Sequence, residues 1–194
     1  PHRLIFENKL PNSPFTLFAV MRPTAFAGYQ AVIGDNSNGP EWQIVQTSGV
    51  MALNKNQVAQ VGASSTQLST SNFQIIAVTY NGTNVAFYLG GAADGTASNA
   101  QSFSWTTSYL AATDGASEYL TGDIGEVLVY DSVLSSGDLT DVYDYLNTKW
   151  FGGGASINRT AADTPSTSDS IARTLLLYRT AADASSTSST VTRS

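Results

Sequence analysis

The sequence contains no cysteine, a single histidine and few charges of either sign. Without cysteine there are no disulfides, no thiolate metal sites and no thiol nucleophile. The absence leaves the compartment open, because many bacterial and phage surface proteins also do without disulfides. The single histidine is His2, at the chain end, which takes away the base of a Ser-His-Asp arrangement. Zinc needs several His or Cys ligands, and this chain has one in total. Charged residues make up 12%, about half the share usual for a globular domain. Small polar residues fill the gap, as they do in extracellular β-proteins and in virion or cell-surface fibres. The net charge of −6 argues against a nucleic-acid partner, since phosphate binding needs a basic patch. No apolar run approaches the length of a membrane span. The start on Pro1, with no signal-like segment, suggests a processed chain or an excised fragment.

What is present is a β-rich core. Hydrophobic residues amount to 42% of 194, enough for one domain of ordinary size plus an appendage. Phe73 to Tyr80 is a nearly unbroken run of β-branched, aromatic and small apolar residues. Asn81-Gly82-Thr83-Asn84 follows it, and Val85, Phe87 and Leu89 then alternate up to Gly90-Gly91. Two such runs around an Asn-Gly pair predict a β-hairpin, because Asn and Gly tolerate the positive φ a tight turn demands. The first strand is apolar on both faces, so the spacing places it inside a sheet covered on both sides. Further strands are expected at Leu4 to Phe6, Phe15 to Arg22, Tyr29 to Gly34, Glu41 to Thr47 and Gly49 to Leu53. The last of these should pair with Gln57 to Val61 across Asn54-Lys55-Asn56. Ser64 to Asn72 and Ala92 to Gln101 read as loops. Phe103, Trp105 and Tyr109 mark a strand of period two, and Tyr119 to Asp131 the last strong strand. Many short strands with turn residues between them predict a sandwich or barrel, and alternating βα units are absent.

One helix is expected near the end. Ser135 or Ser136 can cap it, Asp138 sits at its positive end, and Leu139, Val142, Tyr143, Leu146 and Trp150 form an apolar stripe. Gly152-Gly153-Gly154 stops it. Asp138, Asp141 and Asp144 read as a solvated helix face.

FTLFAVMRP near the start, the run through VTYNG, and TGDIGEVLVYDSVLSSGDLTDVYDYLNTKWFG at Thr121 to Gly152 together resemble the laminin-G-like, or concanavalin A-like, domains of bacterial and phage surface proteins. The resemblance covers residues 1 to about 152 and rests on fold signatures. It implies an all-β, antiparallel jelly-roll β-sandwich with one C-terminal helix. After residues 153–158, a Gly-rich linker, the composition changes: RTAADTPSTSDSIAR at Arg159 returns as RTAADASSTSSTVTR at Arg179. A fixed repeat marks an array of like units, and residues 159–194 are expected to form a repetitive β-rich or extended stalk through which copies self-associate. A disordered Ser/Thr linker is the plainer alternative.

The resemblance also implies where chemistry could sit. Related glycosidases place paired acids on one face of a strand. Here the comparable strand carries Asp123 and Glu126, three apart, which a regular strand sends to opposite faces. A two-carboxylate mechanism needs both groups flanking one bond, so no enzyme activity is expected. Many laminin-G-like domains carry calcium on the sandwich rim, and calcium takes several oxygen ligands. Asp35 and Glu41 in one loop, and Asp114 and Glu118 in another, are the candidate ligands, although ordinary solvated turns would also explain both loops. For sugar binding, aromatic rings stack on the apolar faces of pyranoses while amides satisfy hydroxyls. Trp42, Trp105, Tyr109, Asn36 and Asn38 are the candidates. A Trp in a strand commonly belongs to the core instead, and Trp150 is assigned to packing. Three functions follow in order: a non-catalytic recognition or adhesion module binding a glycan or surface protein on a virion or cell surface; a structural decoration or fibre protein; and a polysaccharide hydrolase.

Overall fold

The structure, a computed structural model, describes residues 4–6, 11–35, 39–55, 59–104, 107–113 and 118–152. Along these residues run β1 (Leu4–Phe6), β2 (Phe15–Pro23), β3 (Gln30–Gly34), β4 (Pro40–Ile44), β5 (Met51–Lys55) and β6 (Ala59–Ala63). They are followed by β7 (Gln74–Tyr80), β8 (Asn84–Leu89), β9 (Ala92–Ser98), β10 (Ser108–Leu110), β11 (Gly122–Tyr130) and α1 (Ser136–Phe151). The strands form two antiparallel sheets, ordered β1-β10-β3-β4-β5-β6 and β11-β2-β7-β8-β9. The result is the expected jelly-roll sandwich with one C-terminal helix.

Strand β7 lies in the middle of the five-stranded sheet, between β2 and β8. Ile76, Val78 and Tyr80 point into the space between the sheets, and Ile75 and Ala77 point away from it. Strand β2 does the same, with Phe15, Leu17, Ala19 and Met21 inward and Phe18 and Val20 outward. Both strands read as continuous apolar runs because both of their faces are buried. The outward set is covered by Leu139, Val142, Tyr143 and Leu146 of α1. Each large side chain so buried contributes roughly 1.5–3 kcal/mol, which is why the sheet needs the helix.

Local chemistry fixes the joints. In the β7–β8 turn Gly82 takes φ +98°. Asn81 instead uses its side chain: Oδ1 accepts from the amides of Thr83 and Asn84 at 2.9 and 2.7 Å. Helix α1 starts on Ser135, whose hydroxyl accepts from the Asp138 amide while Asp138 accepts from Ser135, a reciprocal capping box. It ends on Gly152 in the left-handed region, φ +63°.

Four expectations need correction. Residues 92–98 are not a loop but the edge strand β9, paired with β8. Gly95 and Ala97 are small because β6 lies close above them: a Cβ on Gly95 would meet the Ala63 carbonyl oxygen at 3.0 Å. A Cβ on Gly62 would come within 2.5 Å of Val85 and 2.9 Å of Ala97. The β5–β6 turn does not include Asn54 and Lys55, which are strand residues with Lys55 opposite Ala59. Strand β4 stops at Ile44, before Thr47, which turns with φ +68°. The strand drawn through Phe103 and Tyr109 is regular only over Ser108–Leu110. The repeats at 159–194 lie outside the described residues.

Candidate functional site

Strand β4 reads PEWQI, and its alternation decides what each side chain faces. Trp42 and Ile44 point between the sheets, so Glu41 and Gln43 point outward from the six-stranded sheet, opposite Asn54 and Ala52 of β5. They are nonetheless buried, Glu41 at 0% exposure and Gln43 at 1%. The segment after β10 reaches this face at both of its described ends. Its Thr113 lies so close that a Cβ on Gly34 would meet the Thr113 Cα at 2.8 Å. Further along, the Glu118 carbonyl accepts from the Ala31 amide at 2.8 Å.

A polar network fills the space beneath. The Gln43 amide nitrogen donates to Glu118 Oε2 at 2.5 Å and, more weakly, to Glu41 Oε2 at 3.5 Å. Gln43 Oε1 accepts from Asn54 Nδ2 at 2.6 Å. Two carboxylates from distant parts of the chain thus reach one amide nitrogen. Glu118 holds φ +53° to do so, a left-handed conformation that costs a residue with a side chain about 1–2 kcal/mol. Buried acids are costly unless fully bonded, and a sandwich can be closed without them.

The sequence candidates meet mixed outcomes. Glu41 and Glu118, drawn from separate loops, converge on one site. Tyr109 stands on the same outer face, opposite Ile5 and Gly34. Asp35 is buried at 1% exposure, and its Oδ2 accepts from the Thr107 amide at 3.0 Å, tethering the start of β10. Trp42 is not a stacking platform: it is 1% exposed and belongs to the core between the sheets. Asn36, Asn38, Trp105 and Asp114 lie outside the described residues. Among the described residues no three acidic or histidine side chains gather as a metal-ligand set. Gln43 and Asn54 were missed, although the alternation of Glu41, Trp42, Gln43 and Ile44 already signals a polar face opposite an apolar one.

A second cluster sits on the outer face of the five-stranded sheet. Strand β11 is not regular: Ile124 pairs with Met21 and Glu126 with Val20, so Gly125 is the extra residue of a bulge. The bulge turns Glu126 onto the same face as Asp123, contrary to the opposite faces expected of a regular strand. Both acids are engaged by neighbouring side chains. Asp123 is bound by Arg22 at 2.6 Å, and Arg22 lies 5.3 Å from the Phe73 ring centroid. Glu126 accepts from the Trp150 indole at 2.7 Å and from Lys149 at 3.0 Å. The stripe of α1 is otherwise as expected, but Trp150 is 40% exposed.

Two packed antiparallel sheets with a covering helix and a loop-roofed polar face define a lectin-like sandwich. Residues 4–140 match the family model of the concanavalin A-like lectin/glucanases superfamily, and the chain belongs to that family. No curated protein sequence matches. Among solved structures, the chain is similar to the native heptameric SAP-like pentraxin from Limulus polyphemus, with TM-score 0.60 and 17% identity over 73% of this chain and 75% of that one. It is also similar to a putative carbohydrate binding protein from Bacteroides ovatus, with TM-score 0.59 and 16% identity over 72% of this chain and 44% of that one. The CBM40 of the Ruminococcus gnavus IT-sialidase, bound to α2,3 sialyllactose, gives TM-score 0.54 and 15% identity over 69% and 84%. At such identities the likeness is one of fold. No helix among the described residues is long and apolar enough to cross a membrane.

Proposed function

We propose that this protein is a non-catalytic recognition module, displayed outside the cell on a virion or cell surface, that binds a glycan. The observation that carries the reading is the Glu41–Gln43–Asn54–Glu118 network, a buried acid and amide joined to a half-buried acid and amide on the outer face of the six-stranded sheet. Carboxylates and amides of this kind accept from and donate to sugar hydroxyls, and Asn54 and Glu118 are its partly exposed members. The sugar-bound CBM40 and the Bacteroides carbohydrate binding protein support the reading by sharing the fold. Glu41, Glu118 and the amide oxygens of Gln43 and Asn54 are also the hard donors calcium accepts. Of the calcium ligands expected from the sequence, Glu41 and Glu118 are the two that the network brings together. The carboxylates are bridged by an amide and roofed by a loop, a poor arrangement for flanking a scissile bond.

A glycan array probed with the full chain, with and without calcium, tests this. Binding to at least one glycan is expected, weakened at least about tenfold by Gln43→Ala in protein whose circular dichroism is unchanged. Bound glycans should be recovered intact by mass spectrometry. Binding to nothing under either condition would overturn the proposal.

The alternative, a decoration or fibre protein, is favoured by the burial of Trp42, which removes one expected stacking residue. In that reading the repeats of 159–194 mediate self-association and a surface protein is the partner. Sedimentation of the full chain against one lacking the repeats separates the two readings. Loss of an oligomer on deletion, together with an empty glycan array, favours assembly.

A further inference from the structure

Trp150 is held in a way that packing alone does not require. Its indole N–H is pinned to Glu126 Oε2 at 2.7 Å, and the Glu126 side chain is only 5% exposed. Its benzo ring lies over Gly125, where an added Cβ would meet ring carbons at 2.8–3.1 Å. Gly125 is the bulge residue of β11, so the same irregularity makes room for the ring and aims Glu126 at its nitrogen. The indole is thus fixed at its edge and supported from below, yet 40% of the residue remains exposed. Beside it stand polar groups of both kinds. Lys149 binds Glu126 and the Tyr145 hydroxyl through two of its three N–H bonds, and Tyr145 keeps an O–H to donate.

We propose that Trp150 is a pre-organised stacking platform for a glycan of β-linked, equatorially substituted pyranoses, with Lys149 and Tyr145 serving the ring hydroxyls. Such pyranoses present flat C–H faces that match the electron-rich face of an indole, and fixing the ring beforehand removes an ordering cost on binding. A mixed set of donors and acceptors around the ring suits hydroxyls better than a purely apolar partner. The site rests on the reading of this protein as a glycan binder, but it lies on the five-stranded sheet, away from the Glu41–Glu118 network.

The test is a titration of the full chain with cellotetraose, followed by the indole N–H resonances in a ¹H–¹⁵N spectrum. The Trp150 signal, assigned by its loss in Trp150→Phe, is expected to shift saturably. Trp150→Ala should weaken binding at least about tenfold. A Trp150 signal unmoved by millimolar cellotetraose would overturn the proposal. So would a shift that follows protein concentration instead of sugar, since a second copy would then cover the ring. Cellotetraose binding that persists unchanged in Trp150→Ala sinks this site alone, whereas an empty array sinks the general glycan reading.

Discussion

At the scale of residues, identical side chains serve opposite purposes according to the strand face they occupy. Trp42 fills the space between the sheets, so Trp42→Ala should cost about 3–5 kcal/mol in chemical denaturation. Gln43, its neighbour, points the other way and joins two carboxylates. Its replacement by Ala strands buried acceptors and should cost about 1–3 kcal/mol, a loss readable in the same denaturation experiment. That Trp42 and Gln43 take opposite faces was legible in the alternation of PEWQI. Which face is the interior was not, because both sides of this strand are buried, one by the other sheet and one by a loop. Trp150 shows the reverse difficulty. Its helical spacing with Leu146 and Tyr143 announces packing, and only the bulge at Gly125 leaves the ring half in solvent.

At the scale of elements, α1 is bounded by chemistry the sequence states openly. Ser135→Ala removes the capping hydroxyl and should lower stability by about 1 kcal/mol, seen as a fall in Tm. Toward its other end the helix is tied to β11 by Lys149. Partial burial works against the charge on Lys149. Its bonds to the Tyr145 hydroxyl and to Glu126, with the attraction of that carboxylate, outweigh this and hold its pKa above the ordinary 10.5. A pKa raised in the folded state means the stabilisation is complete below 10.5 and disappears as pH climbs through the raised value. Alkaline melts should therefore show a decline beyond pH 10.5 that Lys149→Met lessens, with no difference in its shape near neutrality. The strand β9 was missed because residues 92–98 are small and polar, the usual mark of a loop. Gly95 and Ala97 among them face β6, which leaves no room there for larger side chains.

At the scale of the whole molecule, the two sheets are brought together along one edge by Gly62 and along their faces by the large side chains of β2, β4, β5 and β7. Gly62→Val would drive methyl groups into Val85 and Ala97 and should destabilise the sandwich by at least about 1–3 kcal/mol, measured by urea unfolding. Its effect should be global, lowering the protection of amides in both sheets together. The amino-acid sequence by itself determined most of the strands, the hairpin at Gly82, the helix with its caps and the membership of a sandwich family. Those features depend on spacing, turn residues and periodicity, which are local. Only the tertiary structure decided that Glu41 and Glu118 meet at Gln43, that Trp42 is core, and that a one-residue bulge brings Asp123 and Glu126 to one face. Each of those depends on which distant segment lies above a given strand face, and no local pattern carries that information.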